Sequence, residues 1–166
     1  MTDNTPATFP RAGFRRRFGS WIYDFLLSFS VYMVAGAVSF LLIYLGHYMG
    51  LYGMQGEQHF SDTIANTAWL KWPNELWKMA WVVFFFVYFW TKNGQTLGMR
   101  AWRLRLQNLD GSLLSKTTAL KRLVPTLLGL GNILVIVDRK NKLSLQDRLT
   151  KTEVVVLSLD ANRGRL

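Results

Sequence analysis

The longest apolar run is the strongest constraint on the fold of this chain. Residues 18–48 contain no charged residue except Asp24. A helix that crosses a bilayer needs about 20 mostly apolar residues, and this run is longer than that. A cleaved signal peptide would have a shorter apolar region and a small-residue cleavage site, and the run has neither. It therefore predicts a membrane-spanning helix that begins near residues 11–18 and ends near Leu45.

A second apolar run, residues 73–91, predicts a second span. Its charged residues, Glu75 and Lys78, both lie near its start. Pro73 suits the first turn of a helix, where its missing N–H removes no hydrogen bond. Large aromatic residues stand near both ends, as in an interfacial belt: Trp72, Trp77, Tyr88 and Trp90.

The third apolar run, residues 123–137, is too short for a simple span. As a helix its 15 residues would cover about 22 Å, whereas the hydrocarbon core is about 30 Å thick, and the run contains Pro125. Basic residues flank it on both sides, so a single crossing would violate the preference of basic residues for the cytoplasmic side. We therefore expect a bent or re-entrant helical segment buried against the two spans.

Two short stretches have the pattern of β-strands. In WRLRLQ, Trp102, Leu104 and Leu106 would lie on one face and Arg103 and Arg105 on the other, and the turn sequence NLDG follows. Near the carboxyl end, TEVVVLSL is rich in β-branched residues. Because neither strand would be stable alone, we expect them to pair with each other.

The charge distribution orients the predicted spans. The chain of 166 residues is half hydrophobic, yet its formal net charge is +10. Residues 92–122 contain seven basic residues and one acidic residue, whereas the loop between the spans carries Glu57 and Asp62. Basic segments favour the cytoplasmic side, so both termini are expected in the cytoplasm. The predicted fold class is a mainly α, polytopic helical protein of the inner membrane, with two full spans, the short third segment and a small cytoplasmic β-hairpin-like element.

The chain is expected to form one membrane domain. Residues 1–10 are polar and contain two prolines, which predicts a disordered leader. Residues 11–157 form the domain, and residues 158–166 are expected to be a flexible tail.

Asp24 is the first candidate functional residue. It lies seven residues after Arg17, so both side chains lie on one helix face about 10 Å apart along the axis. A charged aspartate in a span is costly and needs partners. Three interpretations stay open: a structural ion pair with an arginine, a proton or cation site, and a carboxylate that faces interfacial water.

Two further constellations accompany it. Residues 137–156 bring Asp138 and Asp147 to the expected membrane edge beside Arg148, although a solvated loop of mixed charge would have the same composition. In NGQTLGMR, residues 93–100, Asn93 and Gly94 indicate a turn, and Gly98 suggests close approach of the backbone to another group. Turn chemistry explains this last stretch as well as binding does.

Together these stretches resemble the RDD family of small membrane proteins, named for one arginine and two aspartates. AGFRRRFGSWIYD matches the family pattern of glycine, phenylalanine, a basic cluster and an aspartate seven residues after the key arginine. LQDRLTKTEVV matches the final element, and the resemblance covers residues 12–156. It implies that the three named residues are Arg17, Asp24 and Asp147.

The supporting glycine-glutamine-threonine-x-glycine element is matched by Gly94, Gln95, Thr96 and Gly98. One departure is Gln146, where many members have histidine, so a proton relay at this position is in doubt.

The resemblance implies a membrane protein, and a few family members are associated with sodium or proton exchange. The first hypothesis is a small secondary transporter that exchanges monovalent cations for protons, with Asp24 and Asp147 alternately binding the two. Two or three helices hardly enclose a pathway, so this hypothesis requires a homo-oligomer. The alternative is a non-catalytic scaffold or accessory subunit that binds anionic lipid at its basic cytoplasmic face, or a membrane-protein partner.

The residue types exclude several other classes. Without cysteine the chain has no disulfide, thiolate metal site or cysteine nucleophile. His47 and His59 have no ligand-spaced partner, so no metal site is expected, and no hydrolase-like set of serine, histidine and carboxylate is evident. We expect no enzymatic activity and no cofactor. A soluble nucleic-acid-binding protein could carry this charge but would not need WVVFFFVYFW, so no nucleic-acid partner is expected.

Overall fold

The computed structural model describes residues 9–53, 59–127, 130–138 and 140–164. These residues are mainly α-helical and contain one small two-stranded sheet, which confirms the predicted mainly helical class. The elements follow in chain order: α1 (Phe14–Tyr48), α2 (Phe60–Asn66), α3 (Ala68–Lys92), α4 (Leu97–Ala101), β1 (Leu104–Asn108), α5 (Lys116–Leu127), a 3₁₀ helix (Leu130–Ile133), α6 (Leu134–Val137), α7 (Leu145–Thr150), β2 (Thr152–Val156) and α8 (Leu159–Arg163).

Helix α1 contains the long apolar run. Its 35 residues include no proline, so nothing interrupts the backbone hydrogen bonds over about 52 Å. Among the described residues it is the one helix that is long and apolar enough to cross a bilayer by length and composition. Many of its large apolar side chains are exposed, as expected of a surface that faces lipid: Phe25, Leu26, Phe29, Met33, Val34, Leu41 and Leu42.

Helix α3 begins earlier than the sequence predicted. It starts at Ala68, so Pro73 lies inside the helix, and the predicted position of Pro73 in the first turn is wrong. The loop before it also contains a helix that was not predicted, α2. The reason is aromatic packing: the ring centroid of Phe60 lies 5.7 Å from that of Phe40 and 5.5 Å from that of Tyr44.

The described residues form two compact units, and both α1 and α3 contribute to each. Residues 28–53 and 59–85 belong to the second unit. In it, Ser39 Oγ lies 2.6 Å from Asn74 Oδ1, and Tyr32 donates to Glu75 at 2.7 Å. The Glu75 carboxylate also pairs with Lys78 at 2.6 Å. The two charged residues of the second apolar run therefore neutralise each other and tie α3 to α1.

The first unit, residues 9–27 and 86–164 of the described chain, contains the sheet. β1 and β2 are antiparallel, with Leu104 opposite Val156 and Asn108 opposite Thr152, so the predicted pairing is confirmed. Leu104 and Leu106 lie in the core, as their alternation predicted. Trp102 lies outside β1 in the structure.

Both edges of this sheet are covered by backbone. Pro10 O accepts from the Val156 N–H, and the Ala12 N–H donates to Val154 O, each at 2.8 Å. Of the predicted leader, residues 1–8 lie outside the described residues. On the other edge, Gly94 O accepts from the Leu106 N–H at 2.7 Å.

The described part of the third apolar run is broken into separate helices, as the predicted bend requires. The predicted burial of the run against the two spans is wrong for several of its large apolar side chains, which are exposed: Val124, Ile133, Ile136 and Val137. The helical structure starts at Lys116, and α5 ends at Leu127; a 3₁₀ turn and the four-residue α6 follow. Pro125 lies inside α5, where it removes a backbone donor. No helix in the described part of this run is long enough to cross a bilayer.

Gly94 gives a direct test of this packing. Its φ is +68°, and a Cβ would lie 2.7 Å from Leu106 O. Gly94→Ala is expected to destabilise the protein by about 1–3 kcal/mol or more, because it adds a clash to the cost of a left-handed alanine. Gly111→Ala is the matched control, since Gly111 has φ +82° but open space around it. Thermal unfolding in mild detergent would compare them, and an equal loss in both variants would contradict the close approach.

Candidate polar site

Asp147 is held between two arginines in the first unit. Arg17 Nη1 lies 2.5 Å from Asp147 Oδ2, and Arg122 Nη2 lies 2.6 Å from Asp147 Oδ1. The three side chains are at most 4 % exposed. One carboxylate therefore joins α1, α5 and α7, which are far apart in sequence. We call Arg17, Asp147 and Arg122 the buried triad.

Local structure places Asp147 at the start of α7. Ser144 is the N-cap: its Oγ accepts from the Asp147 N–H, and its N–H donates to Asp147 Oδ2 at 2.9 Å. This reciprocal capping box satisfies two donors at the helix start. Arg17 also donates to Lys142 O at 2.9 Å and to Ala12 O at 3.0 Å. These bonds hold the segment before α7 against the start of α1.

Arg122 is the site residue that the sequence reasoning missed. In the sequence it is one of the basic residues that flank the third apolar run, and nothing more was predicted for it. In the structure it lies on the buried face of α5 with Ala119 and Leu123, and it also donates to Thr152 Oγ1 at 2.5 Å. The sequence alone does not show which face of α5 turns inward, but once Ala119 and Leu123 lie in the core, an arginine on the same apolar stripe must find a buried partner.

The surroundings fix the charge of Asp147. Burial alone would raise the pKa of its carboxyl, but the positive charges of Arg122 and Arg17 outweigh burial and lower the pKa from 3.8 to about 2. Asp147 is therefore ionised throughout the physiological range.

Asp24 has different partners from those predicted. Thr96 Oγ1 donates to Asp24 Oδ2 at 2.6 Å, and the Gly98 N–H donates to Asp24 Oδ1 at 3.0 Å; Ser20 Oγ is more distant, at 3.4 Å. Within the described residues no arginine or lysine lies within 4.0 Å of this carboxylate. Of the three interpretations of Asp24, the structural ion pair with an arginine is therefore wrong, because Arg17 pairs with Asp147.

Gly98 lets the backbone reach Asp24. A Cβ on Gly98 would lie 2.6 Å from Asp24 Oδ1 and 2.8 Å from Ser20 O, so only glycine allows this approach. Thr96 caps α4 by accepting from the Met99 N–H at 3.1 Å. The expected close approach of the Gly98 backbone is confirmed, and its partner is the Asp24 carboxylate.

Of the remaining predicted residues, Gln95 makes structural hydrogen bonds, whereas Asp138 and Arg148 form a pair at the surface. Gln95 donates to Leu104 O at 2.7 Å and to Asn162 Oδ1 at 3.0 Å, so it fixes the loop to the sheet. Asp138 pairs with Arg148 at 2.7 Å, but the Arg148 side chain is 52 % exposed. This pair belongs to the surface and lies outside the buried triad.

A cavity of about 60 Å³ lies between the triad and Asp24. Arg17, Asp24 and Arg122 all line it. Trp90 and Gln146 line it too, and within the described residues Trp90 Nε1 and Gln146 Oε1 are buried without a hydrogen-bond partner. Trp90 is only 3 % exposed, so its predicted place in an interfacial belt is wrong. The cavity has room for a few water molecules or a small ion.

Comparison with known proteins identifies the family. The chain matches the RDD family over residues 11–151, a range that contains the triad and Asp24. It belongs to the RDD family. No curated protein and no solved structure matches it. The family and the apolar helix α1 together indicate a membrane protein.

The buried triad predicts unequal losses of stability for two arginine substitutions in this RDD protein. Arg122→Gln leaves the buried Asp147 with one partner fewer and is expected to cost about 3 kcal/mol of unfolding free energy. Arg148→Gln breaks the exposed pair with Asp138 and is expected to cost at most about 1 kcal/mol. Unfolding in mild detergent would measure both, and a similar small loss in the two variants would show that Arg122 is not structural.

Acid should weaken this RDD protein through Asp147. Because folding lowers the pKa of this carboxyl from 3.8 to about 2, its stabilisation is complete above about pH 4 and is lost as pH falls through about 2. The amount is about 2 kcal/mol. Asp147→Asn is less stable at neutral pH and should lack this part of the acid dependence. Unfolding curves between pH 6 and pH 2 would compare them, and parallel curves would contradict the low pKa.

Proposed function

We propose that this RDD protein is an integral protein of the cytoplasmic membrane that exchanges monovalent cations for protons, with Asp24 as the carboxylate that binds either one. The observation that carries the proposal is the environment of Asp24. It is a buried carboxylate in an apolar helix, without an ionic partner among the described residues, at the wall of a small and mostly apolar cavity that Arg17 and Arg122 also line.

Intramembrane carboxylates commonly mark ion pathways and proton relays. Asp24 accepts hydrogen bonds from Thr96 and Gly98, which hold it in place without neutralising it. A proton or a cation would neutralise it. Asp147 differs, because two guanidiniums already supply more positive charge than is needed to neutralise it. The exchange therefore rests on Asp24 alone, and the triad is the scaffold that keeps the arginines away from it.

The cavity offers oxygen atoms to a partly dehydrated cation. Asp24 and Gln146 line it, and the unpartnered Gln146 Oε1 is the kind of carbonyl oxygen that replaces a hydration shell in cation pathways. Arg17, Arg122 and Asp24 line the cavity, and Asp147 pairs with both arginines, so the charges of these four side chains sum to zero when Asp24 is ionised. Binding of one proton or one monovalent cation leaves a single positive charge, and a second would be repelled by Arg17 and Arg122.

The topology in this proposal has α1 and α3 as two full spans with both termini in the cytoplasm. Exposed apolar and aromatic side chains on α3 support a lipid-facing surface, among them Trp69, Trp72, Leu76 and Phe84. The basic residues of the segment 92–122 support its cytoplasmic position. Because few helices are available to enclose a pathway, the proposal includes a homo-oligomer.

Flux measurements test this function. Purified protein would be reconstituted into sealed vesicles with a pH-sensitive dye inside, and sodium, potassium or lithium would be added outside. The wild type is expected to give a cation-dependent pH change. Asp24→Asn should abolish it while keeping the fold, because asparagine retains the size and one acceptor oxygen.

The control in the flux experiment is Asp110→Asn, since Asp110 is exposed in the turn after β1. This variant should transport normally. Full activity in Asp24→Asn, or no pH change with folded wild-type protein, would contradict the exchange function.

The second candidate is a non-catalytic scaffold that binds anionic lipid or a partner protein. It is favoured by exposed basic residues in the first unit: Arg15, Lys92, Lys116, Lys121, Lys140, Lys142 and Lys151. In that case Asp24→Asn would change folding or association, and no variant would change ion flux.

A further inference from the structure

Helix α5 has two different faces. Ala119, Arg122 and Leu123 are buried in the first unit. Lys116, Leu120 and Val124, spaced by four residues, form an exposed stripe. Leu120 is 48 % exposed and Val124 is 65 % exposed, and nothing in the described chain covers them.

The exposed apolar surface continues after the bend. Ile133, Ile136 and Val137 are all exposed, and Val137 reaches 78 %. With Leu120 and Val124 they make five large aliphatic side chains on one bent segment of a protein that already contains a membrane helix. Such a concentration marks an interaction surface.

Positive charges bracket this apolar part on both sides along the chain. Lys116 precedes Leu120 and Lys121 follows it directly, and Lys140 and Lys142 follow Val137; all four lysines are exposed. Aliphatic stems of lysine can lie along apolar surface while their ammonium groups reach phosphates. An apolar centre with basic flanks is the pattern of a segment that lies in an anionic membrane interface.

Neither α5 nor α6 is long enough to cross a bilayer by itself. The 12 residues of α5 extend about 18 Å, and α6 adds four residues after the bend, whereas the hydrocarbon core is about 30 Å thick. Basic residues at both ends favour a return to the same side.

We propose that the described parts of this segment, residues 116–127, 130–138 and 140–142, form a lipid-binding surface that inserts shallowly into an anionic leaflet and returns to the same side. Leu120, Val124, Ile136 and Val137 lie about 5–10 Å into the boundary between headgroups and acyl chains, and the flanking lysines bind lipid phosphates. This surface depends on membrane location and not on ion exchange.

Single cysteines can test this proposal, because the chain has none. Spin labels would be attached to Val124→Cys and Val137→Cys of the full chain in vesicles. Both labels should be accessible to oxygen and protected from a water-soluble nickel chelate. Leu109→Cys is the matched control, since Leu109 is 58 % exposed in the turn after β1, and its label should show the reverse.

Lipid composition tests the lysines. The Val137 label should lie deeper in vesicles that contain phosphatidylglycerol than in phosphatidylcholine alone. Combined Lys116→Gln, Lys121→Gln and Lys140→Gln substitutions should remove this difference, whereas Arg163→Gln should keep it. Association with phosphatidylglycerol should fall by about fivefold per lysine removed.

Three results would overturn the proposal. The Val137 label could be open to the nickel chelate in both lipids, or strong spin–spin broadening could show that a second copy covers it. A membrane-impermeant thiol reagent could also reach Leu109→Cys and Lys140→Cys from opposite sides, which would mean that the segment crosses. Each outcome is independent of whether the protein transports ions.

Discussion

The pairing of Asp147 with Arg17 and Arg122 is the interaction on which the first unit depends. Taking these charges out of water is costly, and their mutual attraction offsets that cost only because hydrogen bonds satisfy most of the groups involved. Ser144 completes the coordination of Asp147, and Thr152 receives a further bond from Arg122. Removal of Asp147 would leave two buried guanidiniums without their counter-charge, and removal of either arginine would leave the buried carboxylate with one partner fewer. The triad thereby fixes the start of α1 against the carboxyl-terminal part of the chain.

Because Arg17 pairs with Asp147, Asp24 has no ionic partner among the described residues. A guanidinium fully engaged with another carboxylate is not free to neutralise an acid two helical turns away. Asp24 instead receives a hydroxyl and a backbone N–H from the loop and helix that precede β1. These hydrogen bonds hold the carboxylate without an opposite charge beside it, as the proposed proton or cation site requires. Asp24 and Asp147, the two aspartates of the family name, therefore have different physical environments.

The sequence allowed much of the fold to be predicted, because the governing patterns were local. The long apolar run gave α1, the alternation around Leu104 gave β1, and Pro125 in a short run indicated the bend. Arg122 was missed because its burial depends on the helix face that α5 turns inward, and that face is set by tertiary packing. The capping-box pattern from Ser144 to Asp147 was visible and would have shown that Asp147 begins a helix. The contact of Gly98 with Asp24 joins residues 74 positions apart, and no local pattern specifies such a pair.

A pair of double-mutant cycles tests the central claim most directly, using unfolding free energies in detergent. One cycle combines Arg17→Gln with Asp147→Asn, and the other combines Arg17→Gln with Asp24→Asn. The account predicts a coupling energy of about 1–3 kcal/mol in the first cycle and less than about 0.5 kcal/mol in the second. A coupling of Arg17 to Asp24 as large as its coupling to Asp147 would contradict it.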